Sequence, residues 1–96
     1  MTKVCVGVLR NTFNYSITKL VKTFFGYRTV YVDSIRCGDV SVAKNVALSK
    51  FENLKTNVPV IIDRHGSYYY YHPKFRKWYK DLDEKQLDKY FNWLSA

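Results

Sequence analysis

The stretch that most constrains the fold is Val58-Pro59-Val60-Ile61-Ile62, followed by Asp63-Arg64-His65-Gly66 and then Ser67 to Tyr71. Two runs of β-forming residues flank a four-residue turn in which Gly66 can take a positive φ, so the segment predicts an antiparallel hairpin. His72-Pro73 stops the returning strand. Tyr68 to Tyr71 alternate along it, which sends two rings to each face of a sheet. Packing in the core is the first use expected of those rings; a stacking or protein-binding platform is the second.

The other elements are read around this hairpin. Val4 to Leu9 is a continuous apolar run, the pattern of a strand buried on both faces. Ile17, Leu20, Val21, Phe24 and Phe25 follow at i, i+3, i+4, i+7 and i+8. That spacing predicts a helix capped by Asn14 or Ser16, ended by Gly26, with Lys19 and Lys22 on its outer face. Tyr27 to Ile35 alternates as a second strand. Ser41 to Leu54 places Ala43, Val46, Ala47, Phe51 and Leu54 on one helical face, with Asp39 or Ser41 as its cap. A last helix starts near Asp81 or Asp83 and carries Leu87, Tyr90, Phe91 and Leu94 as its buried stripe. Lys74 to Lys80 reads as the connection before it. The predicted order is β-α-β-α-β-β-α in a single domain over residues 1–96, an α/β fold with a four-stranded mixed sheet flanked by three helices.

This order, with Val-Pro opening the third strand, resembles the glutaredoxin family of the thioredoxin fold. The resemblance covers nearly the whole chain. It implies a cis peptide before Pro59, with the backbone of Val58 turned outward to pair with an extended peptide or with glutathione. It also implies a groove formed by Asn11, Thr12, Asn14, Tyr15, Val58 and Pro59. The family places C-x-x-C or C-x-x-S before the first helix, where the thiolate is the nucleophile. Here that stretch is Asn11-Thr12-Phe13-Asn14-Tyr15 and holds no cysteine. The glycine pair used by many glutaredoxins after the hairpin is also missing. The reading is therefore a redox-inactive relative, more a binding module than an enzyme, with no required cofactor; glutathione is the one that the resemblance would offer.

Two cysteines, Cys5 and Cys37, stand far apart and outside any metal or dithiol spacing. Cys5 reads as a buried strand residue, and Cys37 is the one weak catalytic candidate, as a monothiol. His65 and His72 flank the hairpin without a third ligand, so no metal site is read. The thiol usage fits a reducing, intracellular, cytoplasmic setting. No apolar stretch is long enough to span a membrane.

Charge supplies the remaining signal. The chain of 96 residues carries 16 Lys and Arg against 8 Asp and Glu, a formal net charge of +8. Residues 1–30 contain no carboxylate. Lys74-Phe75-Arg76-Lys77-Trp78-Tyr79-Lys80 interleaves four cations with three rings. Cations neutralise phosphates and rings stack on bases, while Trp, Tyr and Arg also anchor protein interfaces. Three functions follow. The first is recognition of a protein or peptide partner, in the manner of a phage or viral accessory protein acting on a host component, in the host cytoplasm. The second is nucleic-acid binding through Lys19, Lys22, Lys74, Arg76, Lys77, Trp78, Tyr79 and Lys80. The third is monothiol redox chemistry at Cys37.

Overall fold

The computed structural model describes residues 12–94. The elements are β1 (Phe13–Thr23), β2 (Gly26–Cys37), α1 (Val40–Lys50), β3 (Pro59–Ile62), β4 (Tyr68–His72), β5 (Lys77–Lys80) and α2 (Glu84–Phe91). The five strands form one sheet in the order β2-β1-β3-β4-β5. Every neighbouring pair is antiparallel. This corrects the expected four-stranded mixed sheet with three helices. The predicted strand over residues 4–9, with Cys5, lies outside the described residues, as does Asn11.

The main departure is at residues 17–25, where a helix is expected and β1 with its turn is found. β1 is an interior strand, hydrogen-bonded to β2 on one side and β3 on the other. Ile17 and Leu20 are 0% and 2% exposed. They point to opposite faces: Ile17 packs with Ile61 and Ala47, and Leu20 with Val60 and Leu87. A strand buried on both faces carries apolar residues at both parities, so its period of two is masked and a helical spacing arises by coincidence. The β-branched Ile17, Thr18, Val21 and Thr23 favour the strand. The buried Thr18 hydroxyl donates to the Val60 carbonyl at 2.7 Å, which satisfies it inside the sheet.

The second expected crossover survives in altered form. β2 and β3 run parallel to each other, but β1 lies between them, so α1 crosses over β1 in a split β-α-β unit. Ala43 and Ala47, fully buried, seat α1 on Ile17 and Ile61. Asp39 caps α1 by accepting from the backbone N–H of Ser41 and Val42. α2 covers the opposite face with Leu87 and Phe91, followed by Leu94, against Leu20, Val58, Val60 and Tyr70. It opens with a capping box, Asp83 accepting from Gln86 N–H at 2.9 Å and Gln86 Oε1 from Asp83 N–H at 3.0 Å. The Tyr68–Tyr71 run is divided as expected, with Tyr70 on the α2 face and Tyr69 on the α1 face.

Between Ile17 and Thr18 the β1–β2 register shifts, leaving Val32 unpaired as a bulge. Bulges increase local twist. Beyond this one the β1–β2 arm lies beside α2: Tyr27 packs on the Leu87 cluster and donates to Asp88 Oδ1 at 3.3 Å.

Phe91 is 0% exposed and Phe25 is 94% exposed. Phe91→Ala is expected to cost ~3–5 kcal/mol in urea unfolding, while Phe25→Ala changes stability by less than about 0.5 kcal/mol. Comparable losses in the two variants would contradict this packing.

Candidate functional site

One end of the sheet brings together the close of β4, the turn 73–76, the start of β5, the loop before β3 and the residues after α2. His72 ties the turn 73–76 and β5 to the end of α2. It is 3% exposed, and its Nδ1 accepts from the backbone N–H of Lys74 at 3.2 Å and of Phe75 at 3.3 Å. That assigns the ring proton to Nε2, which donates to the Tyr90 carbonyl at 2.9 Å. Phe75 stacks on the imidazole at 4.4 Å, and Phe91 lies 5.3 Å from it. The edges of Tyr79, Tyr90 and Trp93 close the ring of aromatics. Arg76, at φ +52°, completes the turn.

Trp93 stands on this support. Its Nε1 donates to the same Tyr90 carbonyl at 3.1 Å, so both lone pairs of that oxygen are used. The indole remains 44% exposed. A cavity of about 520 Å³ opens beside it, lined by Lys55, Pro73, Lys74, Arg76 and Trp93. A recess of about 260 Å³, lined by His72, Lys74, Phe75, Lys89, Tyr90 and Trp93, adjoins it. A smaller one lies between Lys55, Thr56, Trp93 and Leu94. Among the described residues, four cations border this groove and no carboxylate does. Among the described residues no lining group neutralises this positive potential, and the exposed Trp93 ring lies within it.

The basic-aromatic segment read from the sequence is divided by the fold. Lys74, Phe75 and Arg76 belong to the groove. Residues 77–80 form the edge strand β5, so their side chains alternate. Lys77 lies over Tyr79 at 5.4 Å and Tyr79 stacks on Tyr90 at 4.7 Å, on the α2 face. Trp78 packs 5.1 Å from Tyr71 on the opposite face. There Lys44 lies over both Trp78 and Tyr69, and Lys80 over Tyr69. Lys22 joins the groove from β1 by donating to the Asn92 carbonyl at 3.2 Å, next to Trp93. Lys19 pairs with Pro59 across β1 and β3, at the foot of the hairpin arm.

The expected peptide groove has a different setting. Val58 and Pro59 are fully buried, the Val58 carbonyl accepts from Leu20 N–H at 2.9 Å, and the peptide bond before Pro59 is trans. That carbonyl is not presented to an incoming strand. Tyr15 is 6% exposed, Asn14 lies opposite Arg36 in β2, and Thr12 Oγ1 accepts from Arg36 Nε. Cys37 is buried and its thiol donates to the Asp39 carbonyl at 3.2 Å. Burial pushes its pKa up, which works against a thiolate. His65 sits in the exposed turn at the far end of β4 from His72. No helix among the described residues is long and apolar enough to cross a membrane.

Sequence reasoning missed Trp93, Lys55 and Lys89. The available signal for Trp93 was an aromatic residue just off the Leu87–Phe91–Leu94 stripe, which a helix face leaves outside the core.

Burial lowers the pKa of His72; the Tyr90 carbonyl opposes that shift and Lys74 adds to it. The unfolded chain then takes up a proton near pH 6.5 while the folded imidazole stays neutral to lower pH. Stability contributed by this group is present above pH 6.5 and is lost as pH falls through the depressed folded value. Urea midpoints measured from pH 7.5 to pH 5 should fall in the wild type and fall less in His72→Gln. Parallel pH dependence in the two proteins would refute the assignment.

Comparison of the chain with protein-family models, with curated protein sequences and with solved structures finds no match to any of them.

Proposed function

We propose that the protein binds nucleic acid, with a single-stranded segment lying in the groove around Trp93. The observation that carries this reading is the lining itself: Lys55, Lys74, Arg76 and Lys89 surround an exposed indole, with no carboxylate among the described lining residues. Cations that track a phosphate backbone, with a ring on which a base can stack, are the two requirements of single-strand binding. The fixed support of the indole matters as much as its exposure. A ring already held by the Tyr90 carbonyl and the His72 cluster loses little freedom when a base stacks on it.

Recognition of a peptide partner beside Val58 and Pro59 is the weaker reading, because both residues are fully buried. Redox chemistry at Cys37 has against it a buried thiol with a raised pKa.

Fluorescence anisotropy with labelled oligonucleotides tests the proposal. Affinity should fall with salt, with a log–log slope of about −0.7 for each phosphate contacted in a single strand, so about −2 to −3 for this groove. Trp93→Ala should cost about 1–3 kcal/mol, the range for one stacked base. Lys74→Ala with Arg76→Ala should make the salt slope shallower while the urea midpoint stays close to that of the wild type. Binding that is absent, or that is insensitive to salt, would remove this function.

A further inference from the structure

The tip of the β1–β2 hairpin carries two phenylalanines that the fold does not use. Phe24 and Phe25 are 95% and 94% exposed, and they touch each other edge to face at 5.2 Å. The turn is held without their rings. Thr23 Oγ1 accepts from Phe25 N–H at 3.2 Å and donates to the Gly26 carbonyl at 2.8 Å. Gly26 absorbs the backbone demand at φ +130°. Phe24 and Phe25 keep negative φ, so the turn accommodates them without drawing on their rings. Adjacent rings left in water at such a position mark a binding surface.

The surroundings identify the kind of partner. The chain carries no carboxylate before Asp33, while Lys19, Lys22 and Arg28 lie along the arm. The two acidic groups near the arm, Glu84 beside Gly26 and Asp88 bonded to Tyr27, belong to α2 on one face. Arg28 pairs with Val21 in the ladder, and Lys19 lies two residues along β1 on the same face, opposite Tyr27 and Lys22. The arm is also continuous with the Trp93 groove. Gly26, Tyr27 and Lys22 belong to the last two rungs of the arm and meet Glu84, Asp88 and Asn92 respectively, so α2 crosses the arm near its tip and brings Asn92, next to Trp93, to Lys22. Lys22 is one residue from Thr23, the last residue of β1, so the tip of the arm adjoins the end of α2 that carries Trp93. An anionic bilayer would take the tip alone and leave the groove unused.

We propose that Phe24 and Phe25 form a wedge that stacks on the last base pair of a duplex where that duplex meets a single strand held in the Trp93 groove. This rests on the nucleic-acid reading and adds a substrate structure to it: a junction between paired and unpaired strands. Apolar side chains that unstack base steps are an established means of deforming a duplex, and the adjacent cations hold its phosphates.

The test compares a single strand, a blunt duplex and a duplex with a single-stranded overhang, the last carrying 2-aminopurine at its terminal pair. The wild type should bind the overhang duplex roughly tenfold more tightly than either other probe and raise 2-aminopurine fluorescence. Phe24→Ala/Phe25→Ala, which alters only exposed rings, should lose that preference and that signal while keeping its affinity for the single strand. Single-strand binding that depends on Trp93 but shows no junction preference would overturn the wedge and leave the groove standing. A preference retained by the double variant would also overturn the wedge. So would capture by phosphatidylserine vesicles that depends on both phenylalanines and occurs without junction preference. Absence of binding to all three probes would overturn the wedge and the groove together.

Discussion

β1 is the element on which the rest of the structure depends. Its backbone pairs with β2 along one edge and with β3 along the other, and its side chains enter both cores. Ile17 sits under α1 with Ile61, and Leu20 sits under α2 with Val60. Both helices rest in part on its side chains, together with Ile61 under α1 and Val58, Val60 and Tyr70 under α2. Each core is small, so the loss of one large side chain removes a substantial part of the packing on that face. The bulge at Val32 then turns the same strand pair into an arm that runs beside α2, and the position of the exposed phenylalanine pair follows from it.

At one end of the sheet, backbone polar groups position the residues of the proposed site. The Tyr90 carbonyl accepts from both His72 and Trp93, and His72 accepts from Lys74 and Phe75. Four hydrogen bonds thus join the end of β4, the 73–76 turn and the end of α2. The cations of the turn are held against a ring whose orientation is already set. His72 also gives this end a sensitivity to acid, because a second proton on the imidazole would face two backbone N–H donors.

The parts legible in the sequence were those determined locally. Asp39 and Asp83 announced the starts of the two helices, and Gly66, at φ +85°, announced the hairpin turn. In the stripe Leu87, Tyr90, Phe91 and Leu94, which has the spacing of a helix, the first three lie in α2, while Leu94 is buried but follows the helix end. Residues 17–25 were not legible, because burial on both faces of β1 removes the alternation that identifies a strand. β5 was hidden for a related reason: in Lys77-Trp78-Tyr79-Lys80 each face receives one cation and one ring, so no apolar period appears. The strand order followed from neither. The sequence predicts a parallel neighbour across the α1 crossover, and β1 occupies that place instead. For the site, Lys74 and Arg76 were legible as cations among rings. Trp93 and Lys55 meet only through tertiary structure, at the end of a helix and in a loop.

The central claim is that this end of the sheet, and not its other surfaces, receives a polyanion. A titration of ¹⁵N-labelled protein with a short single-stranded oligonucleotide, followed by amide and indole resonances, tests it most directly. The account predicts shifts concentrated at Lys55, at Lys74 to Lys77, at Lys89 to Leu94 and at the Trp93 indole N–H. The Trp78 indole, on the opposite face, should move little. Shifts spread evenly over the surface lysines, or centred on α1 and the Trp78 face, would contradict it.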